Sequence, residues 1–449
     1  YADYTFSQSD SYVPLITNNT TNQVVSLHSV EKLSFDDGIV DVIGVNSAGE
    51  YQVNTYTAGH QDESSVTALN NGGFVVTWQS KDQDGDGLGI YAQMYDSNGN
   101  AQGNEFQVNT YTVLTQQESV VTSLDNGGFV VSWVSDQDGD GSGIYAQMYN
   151  ASGNAQGNEF QVNTYSINTQ ATPSIATLTG GGFVVTWTSF NEVSGDGFGI
   201  YVQRYDASGN AQGNELQVNT YTISTQSHSS VAPLSNGGFV VTWQSKDQDG
   251  DGLGIYAQMY DSNGNAQGNE FQVNTYTTGN QSESTIVALD GGGFVVTWNG
   301  FGAADNSGIY AQMYDTNGNV QGDEFQVNIS TEGFQFDSSI TALNNGGFVV
   351  SWSYFDGVSL DSIEIYAQIY DANGDALGGE LQVNSYEASA LYRYSSSVAA
   401  LGDGGFVITW QSEGQDGDGY GIYAQRYDDA GDVLGSIILN AIPNINSTP

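Results

Sequence analysis

Seven tryptophans stand at nearly equal steps along the chain, and that spacing limits what it can fold into more than any other feature. They are Trp78, Trp133, Trp187, Trp243, Trp298, Trp352 and Trp410, separated by 55, 54, 56, 55, 54 and 58 residues. A period in this range marks a repeat architecture. One full unit, residues 64–109, reads SSVTAL, NNGG, FVVTWQS, KDQDGDGLG, IYAQMYD, SNGNAQGN and EFQVN. Four of these runs have strand character, with β-branched and aromatic residues in period-two alternation. The NNGG between the first two tolerates positive φ and suits a tight hairpin. No helical stripe interrupts the pattern.

Four antiparallel strands repeated seven times predict an all-β fold, a seven-bladed β-propeller of four-stranded antiparallel blades. Radial closure leaves only short, protected sheet edges. A parallel solenoid is the competing repeat fold, but its coils are usually shorter and lack four hairpin-linked strands. By analogy with WD-type propellers, residues 64–69 would be innermost and 106–109 outermost, although no single residue fixes that phase. The outer-strand motif occurs eight times, from Tyr51-Gln52-Val53-Asn54 to a degenerate copy at residues 437–440. The other strands occur seven times, so one end copy is expected to complete a blade begun by the other end of the chain. Which copy does so is open at this point.

The 449 residues divide into three parts. Residues 1–46 carry no copy of the repeat and read as a small β module, 47–440 form the ring, and 441–449 read as a linker or tail. No signal peptide is visible, and the chain is expected to be a piece of a longer polypeptide. No apolar run is long enough for a membrane-spanning helix. Cysteine is absent, which fits secreted bacterial proteins without fixing a compartment. Acidic residues number 51 against 6 basic ones, a net charge of −45. That balance excludes nucleic acid as a partner, since phosphates need Lys and Arg, and disfavours anionic membranes. It also strains a compact state unless cations screen or bind it.

The strongest chemical motif joins the second and third strands. It is D-x-D-x-D-G at Asp82, Asp84 and Asp86, again at Asp136, Asp138 and Asp140, and at Asp247, Asp249 and Asp251. Blade seven keeps Asp416 and Asp418, while blades three, five and six have lost the triplet. Alternate carboxylates before a glycine form the first half of an EF-hand-like calcium loop. The bidentate Glu that normally closes such a loop is replaced by Gln93, so backbone, water or a neighbouring loop must supply the remaining oxygens. Affinity is then expected at about 10⁻⁴–10⁻³ M. A second motif, Asp96-Ser97-Asn98-Gly99-Asn100 and its equivalents, is better read as a turn capped by its own aspartate.

A third position varies between copies, just before the first strand: Glu63, Glu118, Thr172, His228, Glu283, Asp337 and Ser395. These residues read as connections on the acidic-loop face, ringing the central channel, where recognition tends to reside. Tyr392, Arg393 and Tyr394 beside that ring suggest a ligand patch for sugars or peptides. Catalysis finds little support. His28, His60 and His228 are scattered, and no GxSxG elbow or cysteine nucleophile occurs. Carboxylate pairs of the glycosidase kind stay open.

GGFVVTWQS, DQDGDG, GIYAQMYD and NEFQVNTYT resemble repeats of very large secreted bacterial proteins of the RTX, or haemolysin-type calcium-binding, group. VVSLHSVEKLSFDDG resembles the unit that follows RTX nonapeptide arrays, although the nonapeptide array itself is absent. The resemblance implies type I secretion, calcium-dependent folding outside the cell, and roles in adhesion, matrix or surface layers. The sequence therefore leads to the expectation of a non-enzymatic, extracellular, calcium-binding propeller. It would act as an adhesion or glycan-binding module of a larger secreted or surface protein. Its partner would be an extracellular glycan, another cell-surface ligand, or copies of itself. The alternatives are a structural subunit of a surface layer or filament, and a polysaccharide-degrading enzyme.

Overall fold

The computed structural model describes residues 49–190, 197–302, 307–357, 363–385 and 392–434 in full. It also describes the backbone of short strands at 4–8, 14–18, 24–26, 32–35, 38–43 and 438–441. The repeats form seven antiparallel sheets of four strands, one per blade of a propeller. Blade one is Gln61–Ala68, Phe74–Lys81, Leu88–Tyr95 and Phe106–Gln107. The first strands of successive blades are neighbours around the axis, and that of blade seven meets that of blade one. The phase inferred by analogy holds: the hairpin joins first and second strands, and the first strand lines the channel.

Burial explains which runs become which strand. The second and third strands lie between blades on both faces, so Phe74 to Ser80 and Gly89 to Tyr95 are buried continuously. The first strand is half-open to the channel and alternates. Trp78, Trp133, Trp187, Trp243 and Trp410 are wholly buried. Each joins an inter-blade core; Trp133 packs with Leu69, Ile90 and Met94 of the preceding blade. Truncating such a tryptophan to alanine costs about 3–5 kcal/mol. Phe74 stacks on Tyr95 at 4.7 Å, and the pair recurs in every blade. At the hairpin, Gly73 is required because a Cβ there would sit 2.1 Å from the Tyr95 carbonyl oxygen.

The N-terminal copy closes the ring. Tyr51 and Gln52 pair with Ala424 and Tyr423 on the third strand of blade seven. The Val53 N–H donates to the Ile422 carbonyl at 2.7 Å, and Asn54 Oδ1 accepts the Ile422 N–H at 2.7 Å. Val433–Leu434 occupies the remainder of that edge. The copy at the chain's end takes no part: Ile438–Ala441 pairs with Gly38–Ile43, which also pairs with Lys32–Phe35. Tyr4–Gln8, Pro14–Asn18 and Val24–Ser26 form a separate three-stranded sheet. The expected tail lies outside the described residues beyond Ala441. Among the described residues no helix is long and apolar enough to cross a membrane.

Candidate functional site

The variable ring is not made of connections, as the sequence suggested, but of residues inside the first strands. Pairing of the first two strands slips between Asp62 and Ser65. The same slip recurs in all seven blades. Each slip is a β-bulge that turns one extra side chain toward the channel. The bulged residues are Glu63, Glu118, Thr172, His228, Glu283, Asp337 and Ser395, all with φ between 50° and 55°. None is glycine, and left-handed backbone at a β-branched residue such as Thr172 is strained. Strain of about 1–3 kcal/mol per residue persists only where surrounding structure enforces it, and it clusters at functional sites.

The neighbouring blade supplies that enforcement. The Glu63 N–H donates to Gln411 Oε1 at 2.8 Å, Glu118 to Gln79 Oε1 at 3.0 Å, and Glu283 to Gln244 Oε1 at 3.0 Å. The Thr172 N–H donates to Glu118 Oε2 at 2.8 Å, and that of His228 to Thr188 Oγ1 at 3.2 Å. Below the ring, hydroxyls zip adjacent blades together, as between Ser64 and Thr409 at 3.0 Å and Ser119 and Thr77 at 3.1 Å.

The ring surrounds a cavity of about 670 Å³ on the channel axis. All seven bulge residues line it, together with Tyr394 and two tiers of mostly serine and threonine hydroxyls. Glu63 is open to the solvent of the channel but walled by protein. That desolvation, with Asp62, Asp337 and Glu118 nearby, pushes its carboxyl up to about 7, although Ser395 hydrogen-bonds to it. Burial and the adjacent Glu283, which shares a hydrogen bond with it, push Asp337 up to about 7 as well. Asn299 Nδ2 steadies Glu283 by donating to Oε2 at 3.1 Å. Gln244 Nε2 lies 3.2 Å from His228 Nδ1. Carboxyls that stay protonated toward neutrality beside other carboxyls are suited to proton transfer.

The structure thus brings together Glu63, Glu118, His228, Glu283, Asp337 and Tyr394. It separates two residues from them. Arg393 is only 2 % exposed and is no ligand-face residue. It stands where six other blades place a buried glutamine, from Gln61 to Gln335, at the start of the first strand. Tyr392 is exposed but lies outside the cavity lining.

The acidic loops lie at the same end of the blades and are bound into the frame. Asp84 Oδ2 accepts from Gln107 Nε2 at 3.0 Å, and Asp86 Oδ2 from the Leu114 N–H of the next blade at 3.1 Å. Asp249 and Asp251 do the same with Gln272 and Gly279, and Asp416 and Asp418 with Gln52 and Gly59. In blade two, Asp136 Oδ1 accepts from the Ser142 hydroxyl at 2.6 Å. Asp82 and Asp247, the first of their triplets, take positive φ, at 57° and 59°. Asp140 donates its N–H to Asp138 Oδ1 at 3.4 Å. Burial raises the Asp138 and Asp416 carboxyls above their usual range. Among the described residues no group of three or more His, Cys, Asp or Glu side chains is placed to hold a metal ion.

Blade six shows what the middle aspartate does for the frame. A Cβ on Gly89 would sit 2.7 Å from Asp84 Oδ2, so an aspartate at this place requires glycine at position 89. Where blade six has lost the triplet, that glycine is replaced by Glu364. Its Oε2 takes the hydrogen bond from Gln382 Nε2 at 3.2 Å, the place Asp84 fills beside Gln107. A glutamate where other copies carry glycine is the signal in the sequence for this exchange. The Asp96 turns are capped as expected: Asp96 Oδ1 accepts from the Asn98 and Asn100 N–H groups, each at 2.9 Å.

No protein-family model and no curated protein matches the chain. Among solved structures it is similar to a protein of unknown function from Dyadobacter fermentans, at 11% identity and TM-score 0.48, over 86% of this chain and 98% of that one. It is similar to an α-L-arabinanase from Penicillium chrysogenum in complex with arabinobiose, at 15% identity and TM-score 0.44, over 84% and 96%. A GH93 α-L-arabinofuranosidase from Fusarium graminearum in complex with arabinobiose is similar at 12% identity and TM-score 0.45, over 81% and 92%. The two of these named for an activity are an arabinanase and an arabinofuranosidase; the expectation of a non-enzymatic adhesion module is corrected for this chain on the carboxyl ring described above. At such identities and TM-scores the likeness assigns no activity to this chain. Within the molecule, the reason for the correction is the crowded carboxyl ring, which the sequence had presented as connections between strands.

Proposed function

We propose that the cavity at the channel mouth is a carboxyl-based hydrolytic site acting on a glycan. One observation carries this: Glu63 and Asp337, both pushed up to about 7, line a single cavity with Glu118 and Glu283. In this reading Glu63, protonated near neutrality, gives its proton to the glycosidic oxygen as the bond from that oxygen to the anomeric carbon breaks. The remaining carboxylates face the positive charge that develops on the sugar ring. Water then adds to the anomeric carbon and loses its proton to the Asp337–Glu283 pair. The serine and threonine tiers supply donors and acceptors for sugar hydroxyls. The test is release of reducing ends from a panel of polysaccharides at pH 6, with Glu63→Gln and Asp337→Asn as controls. Release by the wild type that both variants lose supports the reading. No release from any glycan contradicts it.

The acidic loops in this reading take calcium outside the cell, as the resemblance to secreted RTX proteins implies. What supports it is a set of buried oxygens that lack a donor: Oε1 of Gln83, Gln248 and Gln415, and Oδ2 of Asp138. Each belongs to one of the four acidic loops. With the flanking aspartates they offer hard oxygen ligands, and the ion would supply charge neutralisation that stiffens the face around the channel.

A further inference from the structure

The seven bulges repeat, but the cavity wall does not. The residue before each bulge is Asp62, Gln117, Ala171, Ser227, Ser282 and Phe336 in the first six blades, and Tyr394 in the seventh. Among Phe, Tyr and Trp side chains, Tyr394 is the one that lines the cavity, within the described residues. Its ring is held edge-on by Tyr420, with centroids 5.6 Å apart at 80°. Tyr420 packs in turn on His60, at 5.1 Å and 40°. A ring clamped this way loses little freedom when a flat ligand settles on it.

Its place in the ring gives it meaning. Blade seven lies between blades six and one, which carry Asp337 and Glu63. Its own bulge residue, Ser395, is small and hydrogen-bonds both carboxyl residues. Tyr394 therefore stands between the two groups on which the hydrolytic reading depends. The cavity lining includes no Lys or Arg among the described residues, in a chain of net charge −45. A ligand bringing its own negative charge would face the carboxyl ring with no Lys or Arg in the lining to offset it.

We infer that Tyr394 is the platform on which the reacting sugar unit stacks, and that this unit carries no anionic group. The inference rests on the hydrolytic reading of the same cavity and adds to it an orientation and a substrate class. The apolar face of the sugar lies on the phenol ring, and its glycosidic bond lies between Glu63 and Asp337. Uronic, sulfated and other anionic sugars are excluded. Tyr394 positions substrate by stacking and takes no part in proton transfer.

The test uses the whole chain and a panel of neutral tetrasaccharides of glucose, galactose, xylose and mannose, with the uronic-acid counterparts of the hexoses, measured by calorimetry. The wild type should bind at least one neutral member and no uronic one. Tyr394→Ala should weaken that binding roughly tenfold with an unchanged melting curve, and Tyr394→Phe, which keeps the ring, should bind within about twofold of wild type. If the neutral ligand is turned over, the alanine variant should raise KM far more than it lowers kcat. Wild-type affinity in Tyr394→Ala, or a uronic ligand bound as well as its neutral counterpart, overturns the inference and leaves the hydrolytic reading intact. Binding of no glycan of any kind overturns both.

Discussion

The end of the propeller that carries the acidic loops holds two populations of carboxylates that differ in what surrounds them. The aspartates of the loops are answered by donors: Gln107 and the Leu114 N–H for Asp84 and Asp86, Gln272 and the Gly279 N–H for Asp249 and Asp251. A similar bracket runs outside them, where Glu105 accepts from Gln83 at 2.8 Å and from the Thr55 N–H of the preceding blade at 2.6 Å. The carboxyls of the ring have donors as well, Ser395 for Glu63 and Asp337, Thr172 for Glu118 and Asn299 for Glu283, but they are walled by protein and lie in one another's fields. Glu63 lies in the fields of Asp62, Asp337 and Glu118, and Asp337 in that of Glu283. A carboxylate with donors ties blades together, whereas one walled off from water, and then crowded by its own kind, holds a proton it would otherwise lose. Residue type and motif strength pointed to the first population, but environment singles out the second.

The largest expected effect separates the two groups by activity. Glu63→Gln and Asp337→Asn should each reduce glycan turnover by about 10²–10⁴-fold, while Asp84→Ala should leave it within a few-fold. Steady-state kinetics on the best substrate of the panel checks this, and equal losses in both groups would erase the distinction. Next in size, Asp84→Ala strands the Gln107 amide and should cost about 1–3 kcal/mol in urea unfolding. Adding Gly89→Glu copies the arrangement of Glu364 in blade six and should recover much of that loss. A double variant no more stable than the single one would show that the carboxylate at this place does not matter to the frame.

Chelation addresses the loops as a set. EDTA should lower the melting temperature by several degrees, and added calcium should restore it in the wild type more than in a variant with Asp84 and Asp86 both changed to Ala. The smallest effect is a slope. The folded-state value of Glu63 is about 7 against an ordinary 4.5, and Asp337 is at about 7 against 3.8. The folded state therefore binds more protons than the unfolded chain between those values. The stabilisation that protonation brings is complete below about pH 4 and is lost as pH rises toward and through 7. Urea midpoints should fall over that interval, and Glu63→Gln should flatten the fall. A wild-type profile that rises instead would carry the wrong sign.

Much of the fold was legible because one tryptophan, one NNGG-like turn and two apolar strands recur at each step, and each local preference agrees with the blade. Closure was not legible. YQVN near the start and IILN near the end are four-residue motifs of the same kind, and pairing with the third strand of blade seven, far off in sequence, chose between them. The bulge was hidden for a different reason. It needs positive φ, which a reader looks for at glycine or asparagine, and here it falls on Glu, Thr, His, Asp and Ser. Alignment of the copies did hold the correction for Arg393, since the glutamine found there in six blades is buried. The desolvation and crowding that shift Glu63 could not be read at all, because the channel wall, Asp337 and Glu118 surround it only once the ring closes.

The most direct measurement is a carbon-detected NMR titration of the side-chain carboxyls, with Glu63→Gln and Asp337→Asn used to assign their signals. The contrast described here requires Glu63 and Asp337 to titrate near pH 7 while Asp96, Asp206, Asp261, Asp315 and Asp371 titrate below the ordinary aspartate range. Titration of Glu63 and Asp337 together with the remaining carboxyls, near pH 4, would contradict it.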